Sequence, residues 1–170
     1  MKSKFYYLTL GLYVLIAISC TQSLPDIKSD EKKIGAALDQ WNLDAASANF
    51  DAYFNRLEED SYFIGTDATE RWNKTEFKIW AKPFFDHKKT WNFKSIQRNI
   101  YFSTDGNLAW FDELLNTQMK ICRGSGVMIR KDGDWKIKQY VLSTTIPNQV
   151  LNQIIPIKTP VEDSILKVLK

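Results

Sequence analysis

Two adjacent carboxylates, Asp112 and Glu113, stand in a run of strand-forming residues over 108–121, and the neighbours of each decide what chemistry it could do. Ala109, Phe111, Glu113, Leu115, Thr117, Met119 and Ile121 alternate there with Leu108, Trp110, Asp112, Leu114, Asn116, Gln118 and Lys120. The first set is the more apolar, so the period of two predicts that Glu113 faces inward. A carboxylate among such residues holds its proton to higher pH unless it is paired. That suits a general acid or base abstracting a proton next to a carbonyl while a Tyr or Ser polarises the oxygen. Pairing with Arg98 or Arg123 would make Glu113 structural instead, and a bulge in the strand would exchange it for Asp112.

A second candidate is the stretch GTDATERW, residues 65–72. Thr66 or Asp67 can cap a turn, Glu70 can accept from free backbone donors nearby, and Trp72 can close a pocket from above. Direct contact of Glu70 or Trp72 with a ligand is the competing reading. The one histidine, His87, lies in the polar DHKK run at the end of an expected helix, where the helix dipole favours it. A histidine-rich zinc site or a Ser-His-Asp triad cannot be assembled from it, and no metal or cofactor is implied.

The elements that must position these residues follow from periodicity. Ile34, Ala37, Leu38, Trp41, Ala45 and Ala48 recur at helical spacing behind Asp30, which reads as the N-cap. Asn49 caps a shorter helix through Tyr53, Phe54 and Leu57. Residues 61–65 read as a short strand ending in a glycine turn. Thr75 then caps a helix carrying Phe77, Trp80, Phe84 and Phe85, broken or kinked at Pro83. Four strand-like runs follow, at 91–103, 108–121, 125–131 and 135–143, with turns expected at Asp105-Gly106, Arg123-Gly124 and Asp132-Gly133. In the last run Trp135, Ile137, Gln139, Val141 and Ser143 share one face, and Lys136, Lys138, Tyr140 and Leu142 share the other. The first face carries more apolar surface and is expected to point into the pocket. Helices first and an antiparallel meander afterwards give an α+β domain over residues 30–148.

Composition bounds the rest. At 170 residues, 44% hydrophobic and 25% charged, one domain with a core is expected. Residues 1–20 place Lys2 and Lys4 before an apolar run, then Ser19 and Cys20. The run is shorter than the roughly 20 residues that a spanning helix needs. The Ile16-Ala17-Ile18-Ser19-Cys20 ending resembles a bacterial lipobox, with Ala17 where leucine is usual, and implies lipid on Cys20 as a new N-terminus. The chain is then expected on a bacterial cell envelope, held by the lipid, with residues 21–29 as a tether. Lipidation of Cys20 leaves Cys122 with no disulfide partner. Removing residues 1–19 takes two of the 23 basic residues and leaves 21 against 20 acidic ones, a nearly neutral domain. No run of five basic residues appears, so nucleic acid is not an expected partner.

The segments 123–143 (RGSGVMIRKDGDWKIKQYVLS), YFIGTDATERW and NLAWFDELL resemble the SnoaL-like branch of the nuclear-transport-factor-2-like superfamily. The resemblance implies a cone in which a strongly bent sheet wraps around the helices and encloses an apolar pocket. Isomerases, dehydratases and polyketide cyclases share that fold with proteins of no known reaction, so fold does not decide function. Many relatives place a histidine where Val141 stands here, and valine cannot move a proton. The expectation is therefore a binding domain for a small, largely apolar molecule, lined by Trp72, Trp110, Glu113, Trp135, Gln139 and Ser143. An isomerase or cyclase using Glu113 or Asp112 as general base is the alternative. Superfamily members often dimerise through the outer face of the sheet, and the tail, residues 149–170, adds a partly helical apolar stripe that needs a partner.

Overall fold

The computed structural model describes residues 26–169. The lipobox, Cys20 and most of the tether lie outside them. Helix α1 (Ile27–Ala46) and helix α2 (Phe50–Asn55) lead into strands β1 (Leu57–Ile64) and β2 (Arg71–Asn73), then helix α3 (Lys74–Asp86). Strands β3 (Lys94–Phe102), β4 (Leu108–Thr117), β5 (Lys120–Lys131) and β6 (Asp134–Thr144) follow, and helix α4 (Leu151–Val168) is the last element of the described residues. The six strands form one sheet in the order β2-β1-β6-β5-β4-β3. The meander from β3 to β6 is antiparallel as expected, but β1 lies parallel to β6, so the sheet is mixed. No helix among the described residues is long and apolar enough to cross a membrane.

The helical stripe read from the sequence is the core of α1: Ile34, Leu38, Trp41 and Ala45 are buried against the sheet. The helix starts earlier than predicted, because Asp26 rather than Asp30 is the N-cap and accepts from the Ser29 amide at 3.1 Å. Asp30 is instead buried in the first turn and ion-paired to Arg130 of β5. That hydrogen bond holds its carboxyl below the usual carboxylate range, more than offsetting the effect of burial. Asn49 caps α2 as predicted.

Helix α3 begins with a capping box instead of a Thr75 cap: the Asn73 side chain accepts from the Glu76 amide at 3.0 Å, and the Glu76 carboxylate accepts from the Asn73 amide at 2.9 Å. Pro83 does not end it; the helix runs through to Asp86, with Phe77, Ala81 and Phe85 on its buried side. His87 is its exposed C-terminal cap residue.

Two turns fall where Asp-Gly pairs predicted them, with Gly106 at φ 68° and Gly133 at φ 82°. The turn expected at Arg123-Gly124 does not exist. β4 reverses at Gln118 and Met119, where the Thr117 hydroxyl donates to the Lys120 carbonyl and accepts from the Met119 amide, both at 2.9 Å. Gly124 sits inside β5 opposite Glu113. A β-carbon there would come within 2.3 Å of the Tyr140 hydroxyl, so the glycine answers to a close approach rather than to a turn.

Candidate functional site

Strand parity on β4 is as the alternation predicts: Ala109, Phe111, Glu113, Leu115 and Thr117 are buried while Leu108, Trp110 and Asn116 are exposed. Glu113 is only 1% exposed, and both of its oxygens are occupied. Arg98 of β3 donates to Oε2 from Nε at 3.0 Å and from Nη2 at 2.8 Å, and the Tyr140 hydroxyl of β6 donates to Oε1 at 3.0 Å. The same guanidinium reaches the Gly35 carbonyl at 3.0 Å and Asp39 at 2.9 Å, tying α1 to the sheet. Burial first, and then the Glu113 charge, push the Tyr140 phenol well above its ordinary range, so it remains a donor. The carboxylate thus accepts three hydrogen bonds within the protein, and it does not line the apolar cavity.

Several candidates lie elsewhere. Asp112 faces the other side of the sheet and accepts from Asn99 Nδ2 at 3.2 Å. Trp110 is 45% exposed on that outer face, stacked on Tyr101 at 5.9 Å between ring centroids. Trp135 is buried as predicted, but its ring packs against Phe102 at 5.9 Å with the Arg130 guanidinium 4.6 Å above it, as core. Gln139 and Ser143 point outward. The cause is a bulge in β6: Met128 pairs with Ile137 and Val127 with Gln139, so Lys138 is an extra residue and the parity flips beyond it. Tyr140 and Leu142 become the inward residues, and Val141 moves to the outer side. Gln139 there lines an open groove with Asp60, Tyr62 and Val127.

The apolar cavity has a volume of about 180 Å³ and includes Trp72. Trp72 on β2 stacks on Trp80 of α3 at 4.7 Å and on Phe77 at 5.7 Å, and Trp91 completes the wall 6.3 Å from Trp80. Phe63, stacked on Phe77 at 4.1 Å, and Leu142 form the inner side, while Gln118 and Met119 of the β4–β5 turn close the opposite rim. The glycine turn supplies the rest. Asp67 accepts from the Thr69 amide at 2.9 Å and from its hydroxyl at 2.6 Å, and Glu70 folds back to accept from the Asp67 amide at 3.2 Å. A β-carbon on Gly65 would lie 2.2 Å from Glu70 Oε2, so only glycine lets that carboxylate sit at the cavity edge. Glu70 therefore both serves the turn and lines the cavity.

Of the residues proposed from sequence, this cavity collects Trp72 and Glu70 and leaves out Trp110, Glu113, Trp135, Gln139 and Ser143. Reading the sequence missed Trp80, Trp91, Phe93 and the Gln118-Met119 turn as lining. The visible signal was the density of tryptophan between residues 72 and 91, of which Trp80 read as helix packing and Trp91 as the start of a strand. Among the described residues no cluster of three or more His, Cys, Asp or Glu could hold a metal ion.

Solved structures share the architecture at low identity. An NTF2-like protein of unknown function from Pseudomonas putida KT2440 is 12% identical with a TM-score of 0.62, over 75% of this chain and 94% of that one. A protein described provisionally as a dehydratase of the NTF2-like family, from Streptomyces avermitilis, is 10% identical with a TM-score of 0.62, over 71% and 99%. A domain of unknown function with a cystatin-like fold from Nostoc punctiforme is 13% identical with a TM-score of 0.60, over 83% and 94%. At such identities the likeness shows the fold alone, and no curated protein matches significantly. The model of the SnoaL-like domain matches residues 34–147, from within α1 to just past β6, and this chain belongs to that family.

Proposed function

We propose that this domain binds a small, largely apolar molecule in the cavity between Trp72, Trp80 and Trp91 and does not catalyse its conversion. The observation that carries this reading is the engagement of Glu113. The inward carboxylate expected to move a proton is held by Arg98 and Tyr140 and does not line the cavity. A general base must reach the proton it takes, directly or through one water. Indole, a small neutral ring, is expected to bind wild type saturably in a calorimetric titration and to bind at least about tenfold more weakly to Trp80→Ala, as loss of a stacking face implies. Trp80 is 39% exposed, so the variant should keep its fold. A screen of ketosteroid-like and hydroxyketone substrates is expected to show no turnover. Turnover that fell about a hundredfold in Glu113→Gln, the scale of a lost general base, would overturn the reading.

The same proposal places the domain on a bacterial envelope through lipid on Cys20, supported by the charged, apolar and small-residue order of residues 1–20. Wild type should fractionate with membranes and Cys20→Ala should not; identical partitioning of the two would remove the anchor. Homodimerisation through the outer sheet face belongs to this proposal too, supported by exposed Ile96, Tyr101, Leu108 and Trp110 on β3 and β4.

A further inference from the structure

Several aromatic rings of this protein carry cations of their own. Arg71 sits 4.1 Å over Tyr62, Lys82 lies 5.5 Å and Lys78 5.6 Å from the Phe50 ring centre, and Arg130 covers Trp135. The rings at the cavity are different. Among the described residues no Lys or Arg stands over Trp72, Trp80 or Trp91, although these three indoles are gathered at one rim. The one charged side chain in the lining is Glu70, which enters through the Gly65 turn with one oxygen on the Asp67 amide. The other polar side chains there are the neutral Thr66 and Gln118.

Indole faces carry a negative quadrupole, and tryptophan is the strongest of the aromatic partners for a cation. A carboxylate beside such faces adds attraction of the same sign, and the half-enclosed site screens it less than open water would. An anion would meet only repulsion from these groups. We propose that the cavity selects a positively charged ligand with an apolar skin, an alkylated ammonium compound, whose methyl groups fill the aromatic wall while its charge faces Glu70. The cavity of about 180 Å³ has room for such a head group and a short body. This inference rests on the binding reading above and names the class of ligand for it.

Three probes matched in shape test it on the whole domain: choline, its neutral isostere 3,3-dimethylbutan-1-ol, and the anion 3,3-dimethylbutanoate. Choline is expected to quench tryptophan fluorescence saturably with at least about tenfold higher affinity than the alcohol, and the anion should be weakest. Glu70→Gln keeps an acceptor for the Asp67 amide and should cut the preference for choline over the alcohol several-fold while leaving the alcohol unchanged. Trp80→Ala should weaken choline in particular. If either variant fails to fold by circular dichroism, the wild-type series decides alone. Equal affinity for choline and the alcohol, or saturable binding of indole with none of choline, overturns the charge selection and leaves the binding reading standing. Failure of indole as well as all three probes removes both.

Discussion

Arg98→Ala is expected to lower the stability of the domain by about 3–5 kcal/mol, the cost of stripping the partner from a buried charge. Glu113 would keep the Tyr140 hydrogen bond alone and would lose two bonds from one guanidinium at a site that is 1% exposed. The Gly35 carbonyl and Asp39 would lose their bonds in the same step, so α1 would also loosen from the sheet. Urea denaturation gives the difference directly. Tyr140→Phe removes one neutral donor to the same carboxylate and should cost less, about 1.5–3 kcal/mol. A loss below about 1 kcal/mol for Arg98→Ala would mean that water or another cation replaces the guanidinium. The Glu113 site would then be more open than its packing indicates.

Trp135→Ala is expected to cost about 3–5 kcal/mol and to lower the melting temperature by about 10 °C or more. The indole is 1% exposed and packs edge-on to Phe102 beneath the Arg130 guanidinium, which is itself held by Asp30. Truncation would leave a cavity under an ion pair that depends on the ring for its position. Ligand binding at Trp72 and Trp80 should persist in whatever fraction remains folded, because Trp135 does not line that cavity. A shift of one or two degrees would show that the site refills from neighbouring side chains.

These two residues also show how far the sequence could be read. Glu113 lies on a regular strand, where simple alternation gave its direction, and both Arg98 and Arg123 were open as partners until the β3–β4 register put Arg98 opposite it. Trp135 precedes the bulge at Lys138 and was placed correctly for the same reason. Gln139 and Ser143 follow the bulge and were not, since nothing in KIKQYV marks the one extra residue that turns Tyr140 inward. Gly124 looked like a turn residue because a glycine that clears space for a tyrosine hydroxyl has the same letter as one that bends the chain. The capping box of α3 was legible in Asn73 and Glu76, but Thr75 nearby offered a competing cap. The cavity was the least legible feature. Its wall is drawn from β2, α3, the segment after α3 and the β4–β5 turn, and no local period connects them.

The parallel seat of β1 against β6 has a consequence for the order of events during synthesis. Apart from its short hairpin partner β2, β1 has its sheet contact only with the last strand, so Tyr62, Phe63 and Ile64 wait for Gln139, Tyr140 and Val141. Pairings across so many residues require a large loop to close before any contact forms, which makes such topologies slow to fold. The growing chain therefore has its first strand, and the aromatic residues around it, without a partner edge until nearly the whole domain has been made. That delay makes the seating of β1 against β6 the closing step of the sheet, after the meander from β3 to β6 is already paired.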